Sequence, residues 1–510
     1  MLRTTKRAAA AAPPKERAGC NWTCAATSVA VIAACFGYLA QLGTPDVSHL
    51  PPLLRPHRPP VIAVLNGAGG FLIRAGLMKL PTPEEAIASA CREARLPPSS
   101  TCTLDLPGDN GTRWRDGLRR LLDSYAADSK LTALGHLIAR GQLEQWLVAR
   151  IRLLHAWRAL PPGALEVVPV ARPIFIAGLP RTGTTFLLNL LKQDPRLRTP
   201  LHHELVEPIA AYRAPAAGTD EAVAAIEAKL EQYKQLLPGF DEMHPMEARM
   251  AEECTVTMAM EFASLLFEAT FDVSSYVSWL LDKGRPGGDG SGHAHVFAFH
   301  RRMLQQLQVA EAKAALPEAA GAEAALAAAR AARRWVLKSP WFLHTLDEIA
   351  AEYPDAHIIH THRAPAAVVA SSSSMHAKTY GAGSDDIDLR QIGRQQLATI
   401  EAMVEHGMRV RARWSAEEPE LAAHVSDVQL DELKRDPIGT VERVYKELGI
   451  ELTDEVRRSM RGWLDAKQVR HGAHAVSLSD YGLDASEMMR GSAVFRRYCG
   501  EFRVRGCEAE

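Results

Sequence analysis

The residues best suited to chemistry lie between Gly178 and Thr185, where Gly-Leu-Pro-Arg-Thr-Gly-Thr-Thr combines two glycines, one cation and three hydroxyls. The apolar run Ile174 to Ala177 predicts a buried strand before this segment, and Phe186 to Leu191 predicts an apolar helix after it. A turn between a strand and a helix N-terminus binds anions, because free N–H groups and the positive end of the helix dipole point into it. We therefore interpret the segment as a phosphate or sulfate site rather than a structural turn.

The spacing of Gly178 and Gly183 is that of a nucleotide P-loop, but the next residue does not fit one. A Walker loop has Lys at that position to reach the β- and γ-phosphates, whereas this chain has Thr184, and its only loop cation is Arg181. An ordinary ATPase or kinase is therefore disfavoured. A nucleotide kinase or NTPase stays open as an alternative, and its signature would be Mg²⁺-dependent turnover of ATP.

The segment Pro-Arg-Thr-Gly-Thr-Thr-Phe resembles the 5′-phosphosulfate-binding loop of sulfotransferases, whose sulfuryl donor is PAPS (3′-phosphoadenosine 5′-phosphosulfate). The similarity covers most of the chain and is strongest to bacterial-type members of the family. It implies a three-layer α/β/α fold around a parallel sheet, PAPS as co-substrate with PAP as product, and no metal. It also implies that this whole segment binds the nucleotide, with the last residue stacking on adenine: Pro180, Arg181, Thr182, Gly183, Thr184, Thr185 and Phe186.

A second phosphate site is predicted further along the chain. Arg363 leaves a predicted strand, and Ser371 follows eight residues later inside the next predicted helix. A guanidinium at a strand end can clamp a phosphate, and in sulfotransferases an Arg and a Ser at this spacing bind the 3′-phosphate. The resemblance also implies that a loop closes over this phosphate through Arg470, His471 and Gly472, with His471 where relatives have Lys.

Sulfuryl transfer needs fixed cations beside the departing phosphate and a base for the proton of the acceptor hydroxyl. Arg181 and Lys338, which lies near the end of a predicted strand, supply the cations. Golgi-type members of the family use a Glu downstream of the loop cation as base, and Glu204, 23 residues after Arg181, fits that role. The rival bases are Glu207, His202 and His203, and a structural salt bridge is the alternative role of Glu204.

The order of the elements indicates how these residues are positioned. Strand patterns alternate with helical ones after the loop, which predicts βαβ units and ligands at the carboxyl ends of parallel strands. The stretch 82–160 is helical in pattern and precedes the sheet. We divide the chain into a basic N-terminus with a signal anchor at 1–45, a Pro-rich linker at 46–60, a helical extension at 61–165 and the sulfotransferase domain at 166–510.

The N-terminus predicts a membrane attachment. Residues 18–45 carry no charge, follow a basic segment, and include the apolar run Val29 to Leu42, whereas a bilayer span takes ~20 apolar residues. We expect an uncleaved signal anchor and a type II protein with its body in the Golgi or secretory lumen, in agreement with the glycosylation sequon at Asn110. A cleaved signal, an organellar transit peptide and a cytoplasmic location are the alternatives.

Charge and cysteine content exclude other classes of function. The 510 residues carry 59 Lys and Arg against 60 Asp and Glu, so a net charge of −1 gives no bulk attraction to nucleic acid. The eight cysteines are scattered and indicate neither a disulfide framework nor a zinc cluster. His360 and His362 share a strand face without an ordered set of partners, so no metal is predicted. The acceptor is expected to be a small molecule, a carbohydrate or another hydroxyl compound; a non-catalytic, membrane-tethered nucleotide-binding protein is the third hypothesis.

Overall fold

The computed structural model describes residues 34–106, 111–209, 217–282, 292–316, 321–467 and 476–507. Its centre is a parallel sheet in the order β2-β3-β1-β4-β5. The strands are β1 Ile174–Gly178, β2 Leu197–Arg198, β3 Arg334–Ser339, β4 His357–His362 and β5 Val425–Gln429.

The register of the three central strands aligns their carboxyl ends. Ala177 of β1 is opposite Ser339 of β3, and Gly178 of β1 is opposite Thr361 of β4. The segments that follow these strands therefore leave the sheet at one edge, where ligands of open α/β sheets bind.

Helices surround the sheet. In chain order the α-helices with described bounds are α1 Pro60–Arg74, α2 Pro83–Glu93, α3 Thr112–Ala127, α4 Ala133–Arg158, α5 Thr184–Leu191, α6 His202–Val206, α7 Ala217–Leu236, α8 Phe240–Met243, α9 Thr255–Ala259, α10 Ser274–Asp282, α11 Ala294–Ala315, α12 Ala322–Ala329, α13 Leu346–Glu352, α14 Pro365–Tyr380, α15 Leu389–Glu417, α16 Pro419–Ala423, α17 Leu430–Arg435, α18 Pro437–Glu447, α19 Asp454–Lys467, α20 Ala485–Gly491 and α21 Ala493–Glu501. Residues 34–42 are also helical. Short 3₁₀ turns occupy Pro52–Leu54, Pro340–His344 and Leu478–Tyr481.

The sheet separates two cores. Along β1, Ile174 and Ile176 pack with residues of α5, α18 and α19, whereas Phe175 and Ala177 pack with residues of α11 and α15. Both faces are covered, so every residue of β1 is buried and the strand is a continuous apolar run. The predicted three-layer α/β/α arrangement is confirmed.

The predicted helical region before the sheet is also confirmed. Helix α2 begins as its sequence predicts, because the Thr82 side chain accepts from the N–H of Glu85 while the Glu85 carboxylate accepts from the N–H of Thr82. Helices α2, α3 and α4 share one core with the sheet. A fully buried ion pair between Arg150 of α4 and Glu261 ties this region to the segment after α9.

The Pro-rich linker 46–60 is packed against the rest of the protein, because Leu50 and Leu54 are buried in one cluster with Tyr481. The segment after Leu201 forms helix α6. Strands β2 and β5 were missed, since β2 has two residues and β5 (Val-Ser-Asp-Val-Gln) is short and polar.

Two local disulfides, Cys91–Cys102 and Cys499–Cys507, are present although the cysteine distribution did not indicate them. Within the described residues, no helix is long and apolar enough to cross a bilayer. Most of the predicted anchor, the sequon residue Asn110 and the loop Arg470-His471-Gly472 lie outside the described residues.

Candidate active site

The turn between β1 and α5 is held in a conformation that its sequence requires. Gly183 has φ +87°, and a Cβ there would lie 2.7 Å from the side chain of Leu430. Gly183 caps α5 without a side-chain hydrogen bond, so the first N–H groups of the helix face the turn. Arg181 also has a positive φ, 65°, which is uncommon outside glycine and is typical of functional turns.

Two guanidinium groups meet at this turn. Arg181 donates from Nε to Ser371 Oγ at 3.1 Å and from Nη1 to the carbonyl of Met243 at 3.0 Å. Arg363, which follows β4, donates from Nη1 to the carbonyl of Arg181 at 2.9 Å. The structure thus brings together three residues that were predicted to bind phosphates from two separate motifs.

Both guanidiniums belong to half-buried residues. Burial, and then the charge of Arg363, lower the pKa of Arg181, and burial lowers the pKa of Arg363. Over the described ranges, no carboxylate forms a salt bridge with either guanidinium. Because adjacent half-buried cations repel each other, a bound anion would stabilise this arrangement.

The remaining residues of the Pro180–Phe186 segment divide into two groups. The buried Thr182 hydroxyl donates to the carbonyl of Leu179 at 2.6 Å and lies 2.6 Å from Thr361 Oγ1, so it ties the turn to β4 instead of facing a ligand. Pro180, Gly183 and Thr185 are half-buried, whereas Thr184 is buried. The Phe186 ring lies 5.5 Å from that of Trp463 on α19.

Lys338, near the end of β3, contacts a carboxylate that sequence reasoning missed. Its Nζ donates to Glu253, and its carbonyl accepts from the N–H of Cys254 at 2.9 Å. The charge of Glu253 also acts on Arg181 and raises its pKa against the larger effect of burial. The Glu253 carboxylate therefore interacts electrostatically with both predicted catalytic cations, Arg181 and Lys338. The sequence feature that could have identified Glu253 is the pair Glu252-Glu253, because these two acids directly precede a long run of buried residues.

A carboxylate–imidazole pair lies beside it. His202 Nδ1 is 2.7 Å from Glu252. Burial alone would raise the pKa of Glu252, but the hydrogen bond and charge of His202 lower it on balance. Burial lowers the pKa of His244, on which the charges of Glu253, Glu252, Lys338 and Arg181 all act. The group therefore holds two acids, two imidazoles and two cations at the carboxyl edge of the sheet.

Comparison with known proteins agrees with this geometry. The family described as "Sulfotransferase family" matches residues 173–454. The chain belongs to the sulfotransferase family.

Solved structures of sulfotransferases share its fold. Sulfotransferase STF1 from Mycobacterium tuberculosis H37Rv is 29% identical with a TM-score of 0.63, over 82% of this chain and 99% of that one. Sulfotransferase STF9 from Mycobacterium avium is 23% identical with a TM-score of 0.66, over 83% of this chain and 97% of that one. No curated protein matches the chain.

In this sulfotransferase the predicted base Glu204 makes structural contacts. One oxygen accepts from Arg198 Nη2 at 2.8 Å, and the other accepts from the N–H of Leu201 at 2.9 Å, which caps α6. The salt bridge weighed as its alternative role is therefore present. A carboxylate has about four lone-pair sites, so these contacts leave capacity for a proton, and the assignment of Glu204 stays a prediction.

The rival bases are engaged to different degrees. His203 donates from Nδ1 to the carbonyl of Ala248 at 2.9 Å, and Glu207 lies 3.6 Å from Arg152. His202, by contrast, is paired with Glu252 next to Glu253. Among the four candidate bases that the sequence suggested, His202 is the one whose contacts lead, through Glu252, to its neighbour Glu253 and to Lys338.

A chain of hydrogen bonds runs from Asp427 on β5 through His362 to Tyr498, next to Arg363. Asp427 of β5 accepts from Arg411 Nη2 at 3.0 Å and from His362 Nε2 at 2.8 Å. His362 Nδ1 then accepts from the Tyr498 hydroxyl at 3.0 Å. The backbone N–H of Arg363 lowers the pKa of that hydroxyl against the larger effect of burial, so Tyr498 lies beside the backbone that carries the Arg363 guanidinium.

The same residues include a cluster with metal-ligand atoms, namely His360, His362 and Asp427, whose atoms lie within 4.8 Å of one another. Arg411 donates to both Asp427 and His360 and so places a fixed cation there. Burial would raise the pKa of Asp427, but His362 and Arg411 hold it below its usual value. The charge of Asp427 is already balanced by Arg411, which disfavours a further cation at this cluster.

Proposed function

We propose that this sulfotransferase transfers the sulfuryl group of PAPS to a hydroxyl of a small-molecule, carbohydrate or other acceptor. The observation that carries the proposal is the contact of Arg363 with the Arg181 carbonyl, which places two guanidiniums at the edge of the sheet, neither of them in a salt bridge with a described carboxylate. PAPS has two anionic groups, a 5′-phosphosulfate and a 3′-phosphate. The β1–α5 turn with Arg181 fits the first, and Arg363 with Ser371 fits the second.

The residues of the site divide the chemical work. Arg181 and Lys338 stabilise the negative charge that develops on the phosphate oxygen as its bond to sulfur breaks. A bond then joins sulfur to the acceptor oxygen, whose proton passes to a carboxylate. The sequence resemblance assigns Glu204 as the acceptor of that proton. The contact with Lys338 favours Glu253 instead, because the ion pair places the Glu253 carboxylate beside the predicted leaving group. We propose Glu253 as the base, with Glu204 as the competitor to be tested.

Nucleotide binding tests the proposal directly. Calorimetry should show that PAP binds at least about tenfold more tightly than ADP, since charge-assisted contacts to the 3′-phosphate contribute about 1.5–3 kcal/mol. Mg²⁺ should not change either affinity. Equal affinities for PAP and ADP, or turnover of ATP that depends on Mg²⁺, would instead support a nucleotide kinase or NTPase.

An acceptor screen then tests catalysis. Full-length protein with PAPS labelled in its sulfate should transfer label to at least one pool of hydroxyl compounds, and the Lys338→Ala variant should not. Tight PAP binding without transfer to any pool would support the non-catalytic binding protein.

We also propose that the body of the protein lies in an oxidising lumen. Disulfides persist in the secretory pathway and are rare in the cytosol, and two of them are present. Protein from a eukaryotic secretory system should carry glycan on Asn110, and non-reducing peptide mapping should recover Cys91 joined to Cys102. Recovery of all four thiols free and Asn110 unmodified would argue for a cytoplasmic location.

A further inference from the structure

Helix α1 presents an apolar face to solvent. Val61 is 75% exposed, Phe71 48% and Leu72 45%. At 100° per residue these positions fall on one side of the helix, together with the half-buried Val64, Leu65 and Ala68. No charged residue occurs in α1 before Arg74. A helix on the surface of a soluble domain normally shows the reverse pattern, with its polar side outward.

The opposite face of α1 is already packed. A Cβ on Gly69 would lie 2.2 Å from Ala133 of α4, and Asn66 accepts from the N–H of Leu134 at 3.1 Å. A Cβ on Gly67 would lie 1.9 Å from the carbonyl of Leu39, so the 34–42 helix also lies against α1. Because these contacts fix the rotation of α1, its apolar face points away from α4.

Neighbouring elements extend this exposed surface. The 34–42 helix adds Phe36, Tyr38 and Leu42, and Leu77 follows α1; all four are exposed. We define the apolar surface as these four residues together with Val61, Phe71 and Leu72. It consists of large side chains from two touching helices and the turn after α1. Contiguous patches of this kind mark interaction sites.

The described segment that carries this surface is positively charged. Residues 34–83 contain four Lys or Arg and one Asp, a net +3, and Arg58 of this set is paired with Asp385. No acidic residue occurs between Val47 and Pro83. Arg74 lies over the Phe71 ring at 4.9 Å, which places a cation beside the apolar surface.

We propose that the apolar surface docks into the headgroup region of a bilayer that contains anionic lipid, without spanning it. Apolar side chains bury in the headgroup–acyl boundary, and Lys or Arg side chains near an anionic leaflet add electrostatic attraction. This docking is independent of the proposed chemistry.

Vesicle binding by the full-length chain tests the proposal. The protein is sedimented with vesicles of phosphatidylcholine alone and of phosphatidylcholine with about one-third phosphatidylserine, at low and high salt. We expect binding to the anionic vesicles, weaker binding at high salt, and little binding to the neutral ones. A protein that stays in the supernatant with both vesicle types, or binds both equally, would overturn the proposal.

Matched variants locate the surface. Phe71→Ser/Leu72→Ser should weaken binding about tenfold or more, whereas Val167→Ser, on a residue 47% exposed outside residues 1–83, should have no effect. Arg74→Gln/Lys79→Gln should reduce binding to anionic vesicles and leaves the apolar side chains in place. Melting temperature and PAP affinity should be unchanged in each variant.

Two further outcomes would contradict the proposal. The first is full vesicle binding by Phe71→Ser/Leu72→Ser together with Arg74→Gln/Lys79→Gln, since the surface would then play no part. The second is a dimer in light scattering that Phe71→Ser/Leu72→Ser dissociates, which would mean that a second copy of the chain covers this face.

Discussion

The Nζ of Lys338 donates a hydrogen bond to the Glu253 carboxylate, and the charge of this carboxylate also acts on Arg181. The pair is almost fully buried on the lysine side, with the Lys338 side chain 2% exposed. A buried ion pair is costly to break from one side, because the remaining charge loses its partner. If a phosphosulfate attracted Lys338, the Glu253 carboxylate would lose its partner and could accept the proton of the acceptor hydroxyl.

The first prediction separates the two carboxylates that compete for the role of base. Glu253→Gln should lower sulfuryl transfer about 10²–10⁴-fold without weakening PAP binding, because the amide cannot take the proton and the loss of a negative charge favours an anionic ligand. Glu204→Gln is the matched variant. It should mainly lower the melting temperature, because it removes one of the two carboxylate partners of Arg198, the other being Glu311.

Transfer assays and calorimetry on both variants decide the assignment. If Glu204→Gln abolishes transfer while Glu253→Gln turns over normally, the resemblance identified the base and Glu253 only pairs with Lys338. If both variants remain active, neither carboxylate is the base, and His202→Ala is the next variant to assay.

The second prediction concerns the 3′-phosphate. Arg363→Ala should weaken PAP binding about 10–150-fold, as expected for a lost charge-assisted contact of about 1.5–3 kcal/mol. AMP lacks that phosphate, so its affinity should hardly change. Arg302→Ala is the control, since Arg302 makes only a surface ion pair with Glu166. Equal losses for PAP and AMP would place Arg363 elsewhere in the site.

The third prediction assigns a positioning role to Tyr498. Tyr498→Phe removes the hydroxyl that donates to His362 beside the backbone N–H of Arg363, so the KM for PAPS should rise about 2–10-fold with kcat little changed. Tyr353→Phe is a matched control, because its buried hydroxyl bonds His300 at 2.8 Å. It should cost stability without affecting KM. An unchanged KM in Tyr498→Phe would show that the chain does not position Arg363.

The fourth prediction tests Phe186 as an adenine platform. Phe186 lies at the start of α5, the end of the helix that faces the predicted phosphosulfate, and its ring packs beside that of Trp463 on α19. Phe186→Ala should weaken PAP by about 1–3 kcal/mol, the usual share of base stacking on an aromatic ring. Calorimetry with a ribose bisphosphate that lacks the base should show no change. A similar loss for both ligands would mean that Phe186 only supports the loop.

The fifth prediction is a pH dependence of stability. Burial raises the pKa of Glu268 to about 7 from 4.5, and Gln396 donates to its carboxyl at 2.8 Å. The folded state then binds more protons than the unfolded state between these values, so this group destabilises the protein as pH rises from 4.5 to 7.

Glu268→Gln removes that penalty. It should raise the free energy of unfolding at pH 8 by on the order of 3 kcal/mol and have little effect at pH 4, as measured by denaturant titration at both values. The exposed Glu166→Gln serves as control. A gain of equal size at both pH values would show that the effect does not come from ionisation.

The sequence by itself determined the conformation of the β1–α5 turn. The buried strand, the need for glycine at position 183 and the apolar start of α5 all depend on contacts between near neighbours, so a local pattern specifies them. The same holds for the strand-end position of Arg363 and for the capping box of α2. The alternation of strand and helix patterns also predicted the βαβ units of a parallel sheet, and the resemblance to sulfotransferases implied the three layers.

Only the tertiary structure decided which groups surround the cations. Glu253 contacts Lys338 across 85 residues of sequence, and Tyr498 contacts His362 across 136. No spacing rule predicts such pairs, because they depend on how separate helices pack against the sheet. The outward face of α1 was settled in the same way. Its apolar residues are visible in the sequence, but the close approach of Gly69 to α4 determines which of them remain exposed.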